Sequence, residues 1–379
     1  MNVNKQTHLS TAKRINLGSF YTPQKFVRMA GDWLKYENVN EDYTIADLSC
    51  GYGAFFKLSD FFPNNKYVGN DIDKQAVDCV PKNFQNVELY NLNVFESVSR
   101  SRYGIENDEK LIIVGNPPYN DVTSQINASV KKSDIKMDID IKTRDLGMSS
   151  LLVYSKLEAD YVLVLHPLSY LIKKANFYSC RNFFSNYSIV NHIVFSSQEF
   201  SNTSKFSGFP IIMALYKRNV LRGLTYEQVR NFSFNTLEGV SFVLSDRDYV
   251  ADYIEKYPTS KRYEPEILFY TLRDINALKR SRTFIKIRVA NAVDVDPEKL
   301  SYYCYIDCFK DFAEQLPYFM GNFDIPFIKN TFNEIKDDLM EISYFKHQDI
   351  FGKREKPDAI KYNRVKKYIQ NVLTYSKLA

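Results

Sequence analysis

Short apolar runs alternate with amphipathic, helix-like segments through roughly the first 218 residues of the chain. Such alternation is typical of βαβ units, in which helices join the parallel strands of one sheet. The apolar runs predict seven strands, at Tyr43–Ser49, Lys66–Asp73, Val87–Phe95, Lys110–Asn116, Ala159–Pro167, Asn191–Ser197 and Pro210–Arg218. Segments 22–36 and 74–84 predict helices, the second interrupted by Pro81. The pattern therefore predicts an α/β fold on a mostly parallel sheet.

The alternation fades after Lys217 and Arg218. Beyond about residue 220 the chain mixes short strands, helices and many basic and aromatic residues. We therefore expect a domain boundary near 218–225, which separates an N-terminal domain of residues 1–220 from a C-terminal domain of residues 221–379.

A long polar segment, Asn120–Ser149, interrupts the first domain with little periodicity. Loops of this length inside compact domains are usually functional or mobile. A solvated insertion without a role fits the same pattern, so both interpretations stay open.

Composition narrows the class of protein. Hydrophobic residues make up 45% of the 379 residues, which is enough for a packed core. No apolar run is long enough to cross a bilayer, and the first twenty residues lack the apolar region of a signal peptide. The five cysteines are scattered, and Cys304 and Cys308 lack a second pair that would complete a zinc site. We expect a cytoplasmic protein without metal or membrane contact.

The charge is mildly basic, with a net +5 and a pI of about 8.6, which permits an anionic partner without requiring one. The basic residues near the C-terminus are Lys353, Arg354, Lys356, Lys361, Arg364, Lys366 and Lys367. A run of like charge is usually a solvated face. Neighbouring aromatic residues, among 28 Tyr and 28 Phe, make a nucleic-acid contact a second interpretation.

Candidate chemistry follows the ends of the predicted strands. Asp47 ends the first strand, and Gly51 and Gly53 form a G-x-G turn that lets the backbone pass close to a ligand. About twenty residues later, Asp71 and Asp73 end the second strand, where such folds bind ribose hydroxyls. The alternative is a tight turn followed by a helix that Asp73 caps.

The fourth strand ends in Gly115, Asn116, Pro117, Pro118 and Tyr119. Because the carboxyl ends of parallel strands form the ligand crevice, we expect this stretch, the glycine turn and the two acids to converge. A rigid turn would explain the two prolines alone. It would not explain why all three features follow strands of one sheet.

These motifs resemble those of S-adenosylmethionine-dependent amino methyltransferases. "NPPY" after an apolar strand is similar to their catalytic motif, "DLSCGYGAFF" to their cofactor motif, and "GSFYTP" (Gly18–Pro23) to an N-terminal cofactor motif. Their order is similar to that of gamma-class DNA adenine methyltransferases of restriction-modification systems, whose last region recognises the DNA target. The resemblance covers about residues 15–218 and implies a Rossmann-like methyltransferase domain with a mostly parallel, seven-stranded sheet, followed by an α+β target-recognition domain.

The resemblance also implies roles in cofactor binding. Tyr21 and Thr22 would cradle the methionine part of S-adenosylmethionine, Asp47 would face its amino group, and Gly51 and Gly53 would leave it room. Asp71 would take the ribose hydroxyls and Ile72 would lie against the adenine. Asn93 stands where the family usually carries an acid that accepts from the adenine amino group, and an amide oxygen can also accept.

The same resemblance assigns the chemistry to the "NPPY" stretch. The side-chain oxygen of Asn116 and the carbonyl of Pro117 would hold the hydrogens of the target amine, while Pro117 and Pro118 keep these acceptors rigid. Tyr119 would stack on a base flipped out of duplex DNA. A second ring would come from Phe200, Phe206 or Phe209, and we favour Phe200 because it follows a strand and a glutamate. Core packing is the alternative for each ring.

The substrate has alternatives, because related enzymes methylate glutamine in proteins or guanine in RNA. "FYTP" and about 160 residues after the catalytic domain favour DNA adenine over these. Cytosine methylation and a non-catalytic nucleotide-binding module are further alternatives. The expected partners are double-stranded DNA and a cognate restriction endonuclease, and we take a monomer as the default state. No nuclease motif is evident.

Overall fold

The computed structural model describes residues 22–80, 84, 86–119, 136–200, 208–255, 270–272, 283–289 and 292–374. The chain forms two compact units, Met1–Ser241 and Phe242–Ala379. Each unit has a hydrophobic core of its own.

The first unit is built on a seven-stranded sheet with the strand order β3-β2-β1-β4-β5-β7-β6. Its strands are β1 (Tyr43–Asp47), β2 (Tyr67–Asn70), β3 (Val87–Tyr90), β4 (Lys110–Gly115), β5 (Tyr161–Pro167), β6 (Tyr187–Ser196) and β7 (Pro210–Arg218). Strands β1 to β5 pair in parallel, whereas β7 runs antiparallel between β5 and β6. The predicted α/β fold with a mostly parallel sheet is confirmed. The strand order reverses between β1 and β4, which opens a ligand crevice at the carboxyl ends of the strands.

Burial explains why these strands could be recognised in the sequence. Every residue of β5 is buried, and so is every residue of β4 except Lys110. Strands covered on both faces of a parallel sheet read as continuous apolar runs. Several strands end earlier than predicted, as at Asn70 and Tyr90, because the polar residues that follow form the loops of the crevice.

Helices flank the sheet. Helix α1 (Gln24–Tyr36) begins after Pro23 and buries Phe26, Ala30 and Leu34, which recur at the spacing of one helix face. The unit also contains α2 (Lys74–Asp78), α3 (Leu146–Lys156), α4 (Ser169–Ile172), α5 (Lys174–Ser179), α6 (Arg181–Phe184) and α7 (Tyr226–Arg230). Short 3-10 helices span Ala54–Asp60, Arg100–Tyr103, Ile139–Ile141 and Ser197–Glu199. The α2 helix is shorter than the predicted segment 74–84, and residues 81–83 lie outside the described part of the chain.

The boundary between the units, after Ser241, differs from the boundary expected near residue 220. The reason is that β8 (Ser233–Asn235) and the residue that follows it run along β6. The backbone N–H of Asn235 donates to His192 Nε2 at 3.0 Å, and that of Leu237 donates to the carbonyl of Val194 at 2.8 Å. These bonds extend the first unit past the end of the βα alternation.

The second unit is mainly helical. Its helices are α8 (Leu300–Lys310), α9 (Lys329–Phe332), α10 (Lys336–Lys346), α11 (Gln348–Phe351) and α12 (Ala359–Leu373). Its 3-10 helices span Leu244–Asp246, Val250–Asp252, Pro297–Lys299, Ala313–Gln315 and Tyr318–Asn322. The short strands of this region are β9 (Ser241–Val243), which spans the unit boundary, β10 (Asp248–Tyr249), β11 (Tyr270–Leu272), β12 (Ala292–Asp294) and β13 (Pro326–Phe327). β10 pairs antiparallel with β13, and β11 pairs antiparallel with β12.

The core of the second unit combines apolar and polar packing. Tyr303, Ile306 and Leu339 are buried in its apolar cluster. Beside them the buried carboxylate of Asp307 accepts hydrogen bonds from His347 Nε2 at 2.8 Å and from Ser343 Oγ at 3.0 Å. These bonds satisfy a charge that would otherwise be costly to bury.

All five cysteines are free thiols, and Cys304 and Cys308 are buried on α8. Within the described ranges no three His, Cys, Asp or Glu side chains are arranged to hold a metal ion. Nor does any helix in those ranges have the length and apolar character needed to span a bilayer.

Candidate active site

Asp47 is the last residue of β1 and lies beneath the crevice, where it is almost fully buried. Its Oδ1 accepts a hydrogen bond from the backbone N–H of Ser49 at 3.2 Å. Burial, with a smaller effect from the neighbouring carboxylate of Asp71, raises the pKa of Asp47 to about 8. An acid held in this way gains by meeting a cationic group.

The glycine turn follows directly. Gly51 and Gly53 have φ angles of +52° and +74°, in the left-handed region that glycine adopts without strain. A Cβ atom on Gly53 would also lie 2.4 Å from the ring of Phe56, so no other residue fits there. The sequence forms this turn because these two positions lack side chains.

Asp71 is joined to that turn. Its Oδ2 accepts from the N–H of Gly51 at 2.8 Å, and its Oδ1 accepts from the N–H of Asp73 at 2.9 Å. Burial raises the pKa of Asp71 above its ordinary value. Asp73 also caps α2 by accepting from Gln75 N–H, as the alternative of a tight turn and a helix cap predicted.

Ile72, the residue after Asp71, is 72% exposed and presents a large apolar side chain at the rim of the crevice. The side-chain amide of Asn91 donates to the carbonyls of Asp71 and Ile72 at 2.8 and 3.0 Å. Asn91 was not among the site residues predicted from the sequence. An apolar surface fixed in this way suits a planar ring laid against it.

Asn70 is a second residue of the site that was not predicted from the sequence. Its buried side-chain amide donates to the carbonyls of Leu48 and Leu92, both at 3.1 Å, and its oxygen accepts from Leu92 N–H at 2.9 Å. One side chain therefore ties together the loops after β1, β2 and β3. The available signal was a polar residue at the last position of an otherwise apolar strand.

Asn116 follows β4 and is held at its amide group. Its Nδ2 donates to Oγ1 of Thr22 at 3.3 Å, and Thr22 is only 3% exposed. A Cβ atom on the preceding Gly115 would lie 3.4 Å from Asp47 Oδ1, so the ends of β1 and β4 are close neighbours. The structure thus brings the ends of β1 and β4 together, as predicted, and it also places Thr22 beside Asn116.

Tyr119 turns its hydroxyl inward. That hydroxyl donates to Asn116 Oδ1, and the carbonyl of Leu165 lies 3.0 Å from it. The ring is partly buried against the core of the first unit. Tyr119 and Asn116 are therefore in direct contact, and the amide oxygen of Asn116 already acts as an acceptor.

The end of β5 contributes a neutral histidine. The ring of His166 stacks on Tyr170 with centroids 5.4 Å apart, and its nitrogens lie 2.9 Å from the carbonyl of Pro167 and 2.8 Å from the hydroxyl of Tyr216. Burial lowers the pKa of His166 to about 4. With Nδ1–H donating to Pro167, Nε2 accepts from Tyr216, and the imidazole stays neutral near pH 7.

The phenylalanine rings after β6 that were considered for stacking on a flipped base do not lie as expected. Phe200 is 2% exposed and packs edge-on against Phe195 with centroids 5.8 Å apart, which makes it a core residue in this structure. Phe209 is 38% exposed. The favoured ring is thus buried, because an aromatic residue after a strand can also complete the core below the sheet end. Phe206 and Tyr21 lie outside the described residues.

Asn93 lies in the loop after β3 and is fixed at both ends of its amide. Its oxygen accepts from the N–H of Phe95 at 3.1 Å, and its Nδ2 donates to the carbonyl of Lys136 at 2.8 Å. The guanidinium of Arg102 also contacts this loop and donates to the carbonyl of Asn93 at 3.1 Å. Asn93 therefore borders the same sheet edge as Asp71, with a defined orientation.

Comparison with known proteins supports a methyltransferase. Residues 33–136, which include β1 to β4 and Asn116, match the family model described as "Methyltransferase small domain". No curated protein sequence matched the chain.

Three solved structures are similar to this chain at low identity and with low TM-scores. A protein provisionally named an RNA methyltransferase, from Pyrococcus horikoshii, is 14% identical over 54% of this chain and 88% of its own, with a TM-score of 0.36. The modification subunit of a protein provisionally named a type I restriction enzyme, from Vibrio vulnificus, is 14% identical over 60% of this chain and 49% of its own, with a TM-score of 0.42. A SAM-dependent methyltransferase from Anabaena variabilis is 15% identical over 55% of this chain and 92% of its own, with a TM-score of 0.33.

S-adenosylmethionine is the cofactor of this domain, and the residues at the sheet edge suit it. The left-handed turn at Gly51 and Gly53 keeps side chains away from the crevice. Asp47 offers a buried carboxyl group for an ammonium, and Asp71 offers carboxylate oxygens for hydroxyls. Ile72 supplies an exposed apolar surface for a purine.

Proposed function

We propose that this S-adenosylmethionine-dependent methyltransferase transfers a methyl group to the exocyclic N6 amino group of an adenine in double-stranded DNA. The observation that carries the proposal is the orientation of Asn116. Its Nδ2 is engaged by Thr22, so its oxygen is the end that faces a donor, and the hydroxyl of Tyr119 is such a donor. An aromatic amine can take the place of that hydroxyl.

Cofactor binding would fall to residues at the ends of β1, β2 and β3. Asp47 would pair with the methionine ammonium, Asp71 would accept from the ribose hydroxyls, and Ile72 would lie against the adenine. Asn93 would offer the second lone pair of its amide oxygen to the adenine amino group. The bound cofactor supplies a methyl group on a positively charged sulfur, which is the electrophile of the reaction.

The target amine is a poor nucleophile because its lone pair is delocalised into the purine ring. Acceptors at Asn116 Oδ1 and the carbonyl of Pro117 would bind its two hydrogens and favour a tetrahedral nitrogen with a localised lone pair. The prolines fix the backbone of these acceptors, so little reorganisation is needed during the reaction. The nitrogen then forms its bond to the methyl carbon, the carbon–sulfur bond breaks, and the surplus proton leaves to solvent.

No separate base is required before this step, and the neighbouring groups are consistent with that. His166 is neutral, and both of its ring nitrogens are engaged. Asp47 lies beneath the crevice, where an ammonium partner suits it better than the target amine. The nitrogen therefore loses its proton as or after the methyl group arrives.

The base must leave the duplex to reach Asn116, at a cost of a few kcal/mol. Tyr119 is well placed to stack on the flipped base. Its hydroxyl would first release Asn116 and bond to solvent or to the substrate. DNA phosphates would be met by exposed basic residues of the second unit. These are Lys353, Arg354, Lys356, Lys366 and Lys367.

Methyl transfer from labelled cofactor tests the proposal directly. Purified protein is incubated with unmethylated duplex DNA, with RNA and with protein, and the labelled product is digested and identified. We expect label in N6-methyldeoxyadenosine and a defined sequence context. Label confined to RNA or to glutamine side chains would contradict DNA as the substrate, but it would still show methyltransferase activity. Resistance of the modified DNA to a cognate endonuclease would then test the restriction-modification role.

A further inference from the structure

The first described residues of the long polar segment pack directly on the loop after β3. We call residues 91–98 the β3 loop and residues 136–138 the anchor segment. The N–H of Asp138 donates to the carbonyl of Phe95 at 2.8 Å, and the carbonyl of Lys136 accepts from Asn93 Nδ2 at 2.8 Å. The anchor segment therefore runs alongside the β3 loop and bonds to it with its backbone at two points.

The carboxylate of Asp138 strengthens this pairing. Its Oδ1 accepts from the N–H of Ser97 at 2.8 Å, and its Oδ2 accepts from the N–H of Val98 at 3.0 Å. Ser97 has a φ of +52°, a strained angle for a residue with a side chain, so the turn needs support. Lys156 on α3 lies 3.0 Å from the same carboxylate and holds it in place.

Asn93 faces a hydrogen-bond acceptor at this interface. The carbonyl of Lys136 accepts a hydrogen bond from the amide Nδ2 at 2.8 Å. Aspartate in the same position would put a carboxylate oxygen against that carbonyl, and two acceptors repel each other. The contact with the anchor segment therefore favours an amide at position 93 over the acid that the resemblance implies there.

The β3 loop also reaches the rim that Ile72 occupies. Asn91, at the start of the loop, donates to the carbonyls of Asp71 and Ile72. A shift of the loop would therefore move the apolar surface of Ile72 as well as the amide of Asn93. The two proposed contacts of the cofactor's adenine depend on one supported loop.

We propose that Asp138 is a positioning residue for the adenine subsite of the cofactor, and that the carbonyl of Lys136 selects asparagine over aspartate at position 93. This inference rests on cofactor binding at the sheet edge and is independent of which substrate is methylated. The polar segment thus contributes to cofactor binding through residues 136–138 and is more than a solvated insertion.

The experiment measures the dissociation constant of S-adenosylhomocysteine by calorimetry for the wild type and three variants. Asn93→Asp introduces the acid that the resemblance implies, and Asp138→Asn removes the charge that holds the loop. Asp140→Asn is the matched control. Asp140 also pairs with Lys156, at 2.9 Å, but within the described residues it makes no bond to the β3 loop. Thermal unfolding of each variant without ligand checks the fold.

We expect Asn93→Asp and Asp138→Asn each to weaken binding about tenfold, and Asp140→Asn to change it less than twofold. For Asp138→Asn, methyl-transfer turnover at saturating cofactor should stay within about twofold of the wild type, whereas a merely structural defect would lower turnover together with affinity.

An Asn93→Asp variant that binds as tightly as the wild type, or more tightly, would overturn the selection of asparagine. Equal binding by the Asp138 and Asp140 variants would overturn the positioning role. If Asp138→Asn does not fold, Asn93→Asp still decides whether the contact between the anchor segment and the β3 loop serves cofactor binding. Failure of the proposed substrate looks different, because the wild type would then bind cofactor normally and leave DNA unlabelled.

Discussion

The backbone N–H of Gly51 donates to Oδ2 of Asp71 at 2.8 Å, which makes the glycine turn after β1 and the acid after β2 a single structure. Residues twenty apart in sequence thus shape one ligand-binding edge. The bond fixes the turn where the cofactor's ribose and methionine parts would pass. It also explains why the spacing of these two motifs is informative in the sequence.

Replacing Asp71 with alanine should weaken cofactor binding by more than about tenfold. The change removes the acceptor of Gly51 N–H and Asp73 N–H as well as the group proposed for the ribose, and buried N–H groups left without partners cost about 1–3 kcal/mol each. Calorimetric titration with S-adenosylhomocysteine measures the effect. Asp73→Asn is the control, since asparagine still caps α2. Similar affinities in the two variants would refute the role of Asp71.

Asp47 should make stability depend on pH. The pKa of its carboxyl rises from 3.8 to about 8 because the group is buried. The folded chain therefore keeps a proton that the unfolded chain releases near pH 4. This stabilising contribution is complete below pH 4 and is lost as the pH rises towards 8, at up to roughly 1.4 kcal/mol per pH unit.

Asp47→Asn should remove that dependence, because the amide does not titrate. Without cofactor, the difference in the free energy of unfolding between the variant and the wild type should shift in favour of the variant from pH 5 to pH 8. Urea titrations at several pH values measure it. The same variant should bind cofactor at least about tenfold more weakly. A difference that is constant with pH would contradict the burial argument.

Tyr119 should act through its ring more than through its hydroxyl. Tyr119→Phe removes one hydrogen bond and should lower kcat/KM on DNA by no more than about fivefold. Tyr119→Ala removes the stacking surface, worth about 1–3 kcal/mol per base, and should lower kcat/KM further. Steady-state methyl transfer to a duplex substrate compares the two. Equal losses in both variants would assign the role to the hydroxyl.

DNA binding should be sensitive to salt through the basic residues of α12. Lys366 and Lys367 are exposed, and within the described ranges neither has an ion-pair partner. Replacing both with glutamine should reduce the dependence of log K on log salt by about two phosphate contacts. Lys361→Gln on the same helix is the control, because Glu341 already neutralises that charge. An unchanged salt slope would contradict phosphate contact by Lys366 and Lys367.

The sheet could be predicted because apolar runs record burial, as β4 and β5 do along their lengths. The meeting of Asp47, Asp71 and Asn116 at one edge followed from the rule that parallel strands share their carboxyl ends. Side-chain orientation could not be predicted in the same way. Phe200 lies in the core. This could not be predicted, because the sequence does not reveal which way a ring after a strand turns.

Long-range polar contacts were equally inaccessible. The three loops tied by Asn70 and the pairing of Asn93 with the carbonyl of Lys136 join residues 22 and 43 positions apart. Propensity and spacing describe neighbours along the chain, whereas these bonds depend on how the loops pack. The domain boundary lies after Ser241 and not near residue 220 for the same reason. Side-chain and backbone hydrogen bonds hold β8 and the residues after it alongside β6.

The most direct test of the account is methyl transfer by an Asn116→Ala variant, measured beside its cofactor affinity. If the amide oxygen holds the target amine, transfer to DNA should fall by about 100-fold or more, while the dissociation constant for S-adenosylhomocysteine stays within about threefold of the wild type. Turnover close to that of the wild type would contradict the role of Asn116 and, with it, the proposed chemistry of the site.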